Sequence, residues 1–516
     1  DLPGLAGATD PNLINPWGIA STANGPFWLT ANSRGLALIY DSSGASGSPA
    51  INVVIHPTGI VATPAGGFIF CTSDGTISAW TPPGANGNAA TLVDRSASGA
   101  VYTGLALAGS QVYVANFSAG AIEVYDANFR PYAPAGAFQD AMIPAGFAPF
   151  NIAAIGSKLF VAYALQDASK HMDVPGPGNG YVDVFDTNGN LEQRFAAGGL
   201  LNSPWGMTIA PAGFGDFAGT LLVGNSGDGT INAFNMITGG LEGTVQDSGG
   251  NTISIPGLRA LIAGNGGRGG DANAVYFAAG NGHGLFGSLQ GAPVVSSDGV
   301  VNGASFQPGA APNTLISILG SNLAATTRGW QAADFVNGQL PTQLDGVSVT
   351  VDGAPAFVVF ISPGQVNFLA PTTALFGEIQ ISNNGLTSSM IYSQFGSVAP
   401  AFFQSGGSAA ATHADGTAID STNPAHAGET IILYGTGFGA TAPATPNGSI
   451  IPAPLPLAVQ PTVTFGGAPG KVAYGGLISP GLFQLNVVTP SVPAGSTTVI
   501  ARIGAYASPP VQVLIE

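Results

Sequence analysis

The sequence predicts an all-β fold in which a six-bladed propeller is followed by two β-sandwiches. Three observations carry the prediction. The 516 residues include 77 Gly and 39 Pro, and no run of Ala, Leu, Glu and Lys of helical length appears without them. A strand–turn–strand pattern recurs over the first 290 or so residues at about the 40–50-residue period of propeller blades. A different repeat, of sandwich size, occupies the remainder. The predicted domains are residues 1–292, 293–404 and 405–516.

The first repeat has six copies. They open at "PWGIA" (16–20), "PTGIVA" (57–62), "YTGLALA" (102–108), "APFNIAAI" (148–155), "PWGMTIA" (204–210) and "PGLRALIA" (256–263). Second and third strands follow in "FWLTANSRGLALIYD" (27–41), "FIFCTSDGTISAW" (68–80), "VYVANFSAGAIEVYD" (112–126), "LLVGNSGDGTINAFN" (221–235) and "VYFAAGNGHGLFGSL" (275–289). Alternation of apolar and polar residues fits half-buried antiparallel strands. Asp74-Gly75 and Asp228-Gly229 are hairpin signals, because glycine accepts the positive φ such turns need. The fourth copy differs. Its strands, "LFVAYA" (159–164) and "YVDVFD" (181–186), are separated by an insertion rich in charge and closed by "PGPGNG". Six sheets packing face to face around a channel would place Trp17, Trp205, Phe150 and Tyr102 as wedges between blades.

The second repeat aligns "VSVTVDGAPAFVVFISPGQVNFLAP" (347–371) with "PTVTFGGAPGKVAYGGLISPGLFQLNVVTP" (461–490), and "PNTLISILGSNLA" (312–324) with "AGETIILYGTGFG" (427–439). Two sandwiches of about 100 residues, an immunoglobulin-like size, account for it.

Composition excludes several functions. Only 7% of residues are charged and the net charge is −16, whereas soluble domains carry about 25% charged residues. Eleven scattered Lys and Arg cannot neutralise a nucleic-acid backbone. No apolar run is long enough to span a bilayer. Cys71 has no second cysteine to pair with and reads as a small buried apolar residue. A start at Asp1 is expected of a processed, secreted chain. A surface with little like-charge repulsion is expected to self-associate into oligomers or filaments. The terminal segments "DLPGLAGATDPNLIN" and "PPVQVLIE" are the candidates for strand exchange.

The motifs "DPNLINPWGIA" (10–20) and "QDASKHMDVPGPGNGYVDVFDTNG" (166–189) resemble a family of uncharacterised secreted bacterial propeller proteins with NHL-like repeats. "VVNGASFQPGAAPNTLISILGSNLA" (300–324), "LPTQLDGVSVTVDGAPAFVVFISPGQVNFLAP" (340–371) and "HADGTAIDSTNPAHAGETIILYGTGFGATAP" (413–443) resemble the C-terminal modules of large secreted soil-bacterial proteins, related to Ig-like IPT/TIG domains. The first resemblance transfers no activity. The second implies an extracellular spacer or adhesion module without catalytic residues.

No catalytic motif emerges from the residues. "GNGGRG" (264–269) matches a dinucleotide fingerprint in letters only, since no helix follows it. There is no nucleophile elbow, and His56, His171, His283, His413 and His426 lack metal-ligand spacing. The leading expectation is a secreted, non-enzymatic structural or adhesive protein that self-assembles into surface filaments or another polymer and needs no cofactor. The candidate contact site is the face where blades begin and where second strands turn into third ones. That face should gather Asn32, Asp74, Asn116, Asp167, Lys170, His171, Asp173, Asn225, Asp228 and His283 at the channel mouth. Oxygen ligands of this kind suit Ca²⁺, and the resemblance to metal-holding lactonase propellers makes a hydrolase the outside alternative. Against it, none of the glutamates falls at such a turn, and Asn and Asp also serve hairpin turns for backbone reasons. The remaining alternative is a glycan or small polar ligand bound at the mouth. Asn116-Phe117-Ser118 and Asn447-Gly448-Ser449 are glycosylation sequons.

Overall fold

A computed structural model describes residues 7–82, 87–134, 138–247 and 249–516. The proposed N-terminal exchange arm lies partly outside these, in residues 1–6. The chain divides into two compact units, Asp1–Gly291 and Ala292–Glu516. Both are built almost wholly of strands. Helix among the described residues is confined to four three-residue 3-10 turns.

The first unit contains six antiparallel sheets in chain order, each a simple meander. Sheets 1 to 5 have four strands and open with Pro16–Ala20, Pro57–Ala62, Tyr102–Ala108, Phe147–Ile155 and Pro204–Ile209. Sheet 6 has three, beginning with Leu258–Ala263. Each first strand lies beside the first strand of the next sheet, and that of sheet 6 beside that of sheet 1, so the ring closes on itself. This is a propeller-like arrangement.

Burial explains the sequence texture. The second strands Phe27–Ala31, Phe68–Thr72, Leu221–Asn225 and Ala274–Ala279 are buried along their whole length. Neighbouring sheets cover both of their faces, so they read as apolar runs rather than alternating ones. The outermost strand of sheet 2, Ala90–Asp94, is exposed. Glycine after the opening residues lets first strands approach one another. A Cβ on Gly18 would stand 2.7 Å from the Thr58 carbonyl, and one on Gly206 2.4 Å from that of Arg259. Buried side chains tie sheet to sheet: Thr30 Oγ1 donates to Thr58 O (2.7 Å) and Thr58 Oγ1 to Tyr102 O (2.8 Å). The "GNGGRG" segment is a turn between two strands of sheet 6. Its Asn265 amide donates to Thr22 O and Gly25 O, fastening sheet 6 to sheet 1.

Within the second unit, a five-stranded sheet and a six-stranded sheet enclose Ile316, Ile318, Val349, Phe368 and Ile381. Strand Val347–Val351 alternates strictly between buried and partly exposed positions, as a one-sided sheet requires. A ten-stranded assembly follows, wrapped around Ile431, Leu433, Phe483, Leu485 and Val499. Its twelve-residue strand Ala468–Ser479 pairs with Leu482–Val488 at one end and with Thr462–Phe465 at the other. Leu315 N donates to Thr436 Oγ1 (3.0 Å) and Leu340 N to Gly448 O (2.7 Å), joining the two repeats. The final strand, Val511–Ile515, pairs inside its own sheet with Gly495–Ile503. That pairing occupies one edge of the segment expected to exchange between chains.

Candidate binding site at the mouth of the ring

All six first strands slip register near their start, after the first residue in five of them and after the third in sheet 4. The slips fall after Pro16, Pro57, Tyr102, Pro149, Pro204 and Leu258. A bulge turns the extra residue away from the ladder. The residues so placed are Trp17, Thr58, Thr103, Phe150, Trp205 and Arg259. Trp17 meets Phe150 edge-on at 6.3 Å and Trp205 at 6.2 Å between ring centroids. Sheets 1 and 4 stand opposite each other in the ring, so these rings meet on its axis. Trp205 Nε1 donates to Thr103 O (3.0 Å), adding sheet 3 to the same plug. The expectation that Trp17, Trp205 and Phe150 wedge between sheets is therefore corrected: the bulge aims them inward. Tyr102 does pack between sheets 2 and 3, against Ile69, Cys71 and Ile77. Cys71 is buried there, and burial pushes its thiol up to about 11.

Arg259 is the residue that sequence reasoning missed. Its guanidinium carbon lies 4.3 Å from the centre of the Trp17 ring and 5.8 Å from that of Phe150. It donates from Nη1 to Ser226 Oγ, while its Nε is buried without a partner. Among the described residues no carboxylate stands within ion-pairing distance of it. Burial lowers its pKa, and the charge of Asp173 opposes that shift. The available signal was an arginine inside "PGLRALIA" at the position where other copies carry Trp, Phe or Thr.

The insertion of sheet 4 runs between strands Lys158–Leu165 and Gly180–Phe185. Asp167 organises it. One carboxylate oxygen accepts the backbone N–H groups of His171 (3.0 Å) and Met172 (3.2 Å), and the other accepts Ser169 Oγ (2.7 Å). The Ser169 hydroxyl, with these backbone donors, holds the Asp167 carboxyl below the usual range. Lys170 takes a positive φ of 60° at the tip, and Lys170, His171 and Met172 are exposed. The insertion is fastened on both sides. Gln166 Nε2 donates to Phe117 O in sheet 3, and Gly176 N donates to Asn202 Oδ1 (2.7 Å) ahead of sheet 5. The same Asn202 amide donates to Asp228 Oδ2 (2.9 Å). Asn202 is thus bonded to Asp228 and Ser226 to Arg259, while the charge of Asp173 acts on Arg259 through space.

Other candidates do other work. Asn32, Asn116 and Asn225 are buried, at 9%, 3% and 0% exposure. Asn32 donates to Pro57 O of the next sheet (3.2 Å) and accepts from Asn15 Nδ2 (3.1 Å). Asn116 donates to Glu123 Oε1 (2.7 Å) and accepts from Val101 N (3.3 Å), so its sequon is closed in the folded ring. Asn225 donates to Leu200 O (2.7 Å) and accepts from Asn202 N (3.0 Å). These amides latch strands, and their oxygens are not presented as Ca²⁺ ligands. His56 and Asp74 pair with each other at 2.9 Å. His283 lies in an exposed turn of sheet 6 whose backbone carbonyl accepts from Asn15 N. Among the described residues no three His, Cys, Asp or Glu side chains are grouped to hold a metal ion.

Cavities also lie elsewhere in the unit. One of about 360 Å³ follows the axis beyond the aromatic plug, lined by Gly18, Gly59, Leu105, Asn151, Gly206 and Ala260. The larger, about 710 Å³, sits at the seam of sheets 1 and 6 beside Tyr40 and Phe286. Its polar feature is the Tyr40 hydroxyl donating to Asp10 Oδ2 (2.8 Å).

No family model matches the chain. Two uncharacterized proteins of Acanthamoeba polyphaga mimivirus, L690 and R648, are each 34% identical to it, over 284 and 283 residues. Each match takes in 50% of this chain, and 75% of L690 or 70% of R648. The chain belongs to their family. These relatives are viral, where the N-terminal motifs led us to expect bacterial ones. Among solved structures, a streptogramin B lyase is 13% identical with a TM-score of 0.36, covering 55% of this chain and 95% of its own. A virginiamycin B lyase from Staphylococcus aureus is 12% identical with a TM-score of 0.33, covering 69% and 94%. Likeness at this level transfers neither activity nor substrate to the chain.

Proposed function

We propose that the chain is a non-enzymatic extracellular recognition protein. In this reading residues 1–292 form a six-bladed propeller that binds a small polar ligand or glycan at its mouth. Residues 293–404 and 405–516 are immunoglobulin-like sandwiches that serve as a spacer. The supporting observation is the insertion of sheet 4, a loop of a length that is commonly functional. It is anchored to sheets on both sides and carries Asp167, Lys170, His171 and Asp173 between the anchors. A loop kept only for solubility needs no such anchorage. The test replaces residues 168–174 by a short Gly/Ser turn and screens both proteins against a glycan and metabolite panel by calorimetry. Binding by the parent that the replacement abolishes is the expected result. Binding that survives the replacement, or no binding at all, refutes the reading.

A second reading, self-association into oligomers or filaments, is favoured by one exposed apolar cluster. Leu375, Phe376 and Tyr392 are 69%, 77% and 73% exposed beside the short edge strand Ile391–Tyr392. So large an apolar surface on a polar background marks contact sites. Light scattering should show concentration-dependent growth that Phe376→Ser with Tyr392→Ser removes. A monodisperse monomer at every concentration would exclude it.

A further inference from the structure

We propose that Arg259 is an anion-binding group and that the ligand at the mouth carries a carboxylate, either a free organic acid or an acidic sugar. The inference rests on the reading of the mouth as a binding site and names the chemistry recognised there. Its starting point is an imbalance. A guanidinium removed from water is normally compensated by an acid at hydrogen-bonding distance, because leaving the charge alone costs several kcal/mol. Two more accessible arginines of this chain do have acids: Arg194 forks onto Asp140, and Arg328 bonds both Asp334 and Asp345. Arg259 does not. It has a neutral serine, two aromatic faces and an unpartnered Nε.

The surroundings fix its orientation. Packing against Trp17 and Phe150 holds the planar group, and the Ser226 contact engages one of its terminal nitrogens. A guanidinium held in this way is pre-organised for a planar carboxylate, so little side-chain entropy remains to be lost on binding. Aromatic faces also weaken hydration of the cation and leave it in want of an anion.

Charge count selects the class. Asp173, carried over the mouth by the insertion, acts on Arg259 through space without forming an ion pair. Arg259 is a single cation, which a monoanion matches and a dianion exceeds. A phosphate dianion would meet net repulsion, and phosphate sites generally gather several donors or cations. A carboxylate matches both the charge and the geometry.

The test titrates the full chain with acetate, glucuronate, glucose and inorganic phosphate, following heat and Trp fluorescence. Acetate or glucuronate should bind saturably and phosphate more weakly than either. Binding by glucuronate alone assigns an acidic sugar, and binding by both assigns the carboxylate itself. Arg259→Lys keeps the charge but loses the fork, and should weaken binding roughly tenfold or more. Asp173→Asn, on the exposed insertion, should tighten it severalfold. Lys471→Ala, exposed in the second unit, should leave it unchanged. Glucose binding as well as glucuronate, with Arg259→Lys silent, overturns the anion assignment while the recognition reading stands. Loss of binding on Lys170→Ala moves the site to the insertion tip and also overturns it. Absence of binding by all four probes overturns the proposal, and the glycan and metabolite panel then decides whether the mouth binds anything.

Discussion

Asp183 should make the ring less stable as pH rises, and Asp183→Asn should remove the effect. Asp183 is wholly buried in strand Gly180–Phe185, and neither carboxylate oxygen has a hydrogen-bond partner. Burial, with the nearby charge of Asp140, pushes its pKa up from 3.8 to about 7, while Arg194 opposes the shift. Arg194 faces Asp183 across the ladder, but its guanidinium is engaged by Asp140. The native ring therefore holds a proton here between about pH 4 and 7 that the unfolded chain has released. Stability is lost across that window as pH rises and is flat above it. At 1.36 kcal/mol per pH unit, the displacement corresponds to about 4 kcal/mol, an upper bound if the site relaxes or admits water. Asn is close to neutral Asp in shape, so parent and variant should match near pH 4.5. At pH 8 the variant should be more stable by ~2–4 kcal/mol, about 1 M in urea midpoint for a slope near 3 kcal/mol per M. Four of the five tryptophans, Trp17, Trp28, Trp80 and Trp205, lie in the ring, so fluorescence follows its unfolding. Equal pH dependence in the two proteins would refute the argument and mean that Asp183 is ionised in the native ring.

Trp205→Ala opens the axial plug, removing an edge-on partner of Trp17 and the bond to Thr103 O; it should cost ~3–5 kcal/mol by urea unfolding. Asp167→Ala removes three hydrogen bonds that shape the insertion. It should raise hydrogen exchange and proteolysis within residues 166–179 and change the ring's urea midpoint little. His413 titrates with the same sign from a different cause. Its bond to Glu429 raises its pKa, so it stabilises the second unit fully below about pH 6.5 and loses that support as pH rises through the shifted value. His413→Gln should flatten this dependence in the urea unfolding of Ala292–Glu516, followed at Trp330.

What was legible in the sequence was local and periodic. The repeat in "PWGIA", "PTGIVA" and "PWGMTIA" marks first strands because their glycines admit the neighbouring strand, whereas the second strands, expected to be half-buried, are buried throughout because both faces are covered. The site was less legible, for two physical reasons. An Asn at the end of a second strand has the same letter whether its amide holds backbone or faces a ligand, and Asn32, Asn116 and Asn225 hold their neighbours. A bulge leaves no mark in composition, although it decides that Trp17, Phe150, Trp205 and Arg259 point to the axis. Asp183 could have been found. Tyr181, Asp183 and Phe185 alternate onto one side of their strand, and an acid flanked by aromatics at period two implies burial.

The sparseness of charge gives the few exceptions their meaning. A chain with 11 Lys and Arg in 516 residues has few to spare for solubility. Lys158, Arg194 and Arg328 are each spent on an acid. Arg259 sits where five other copies of the repeat place an aromatic or a threonine, and a Trp or Phe there would have extended the plug at lower desolvation cost. Replacing a buried charge by a well-packed apolar group is generally neutral or stabilising. Stability alone therefore gives no reason for an arginine at that position. The bulge would have aimed any residue at the axis; a fixed cation is the one that confers affinity for an anion in an otherwise acidic protein.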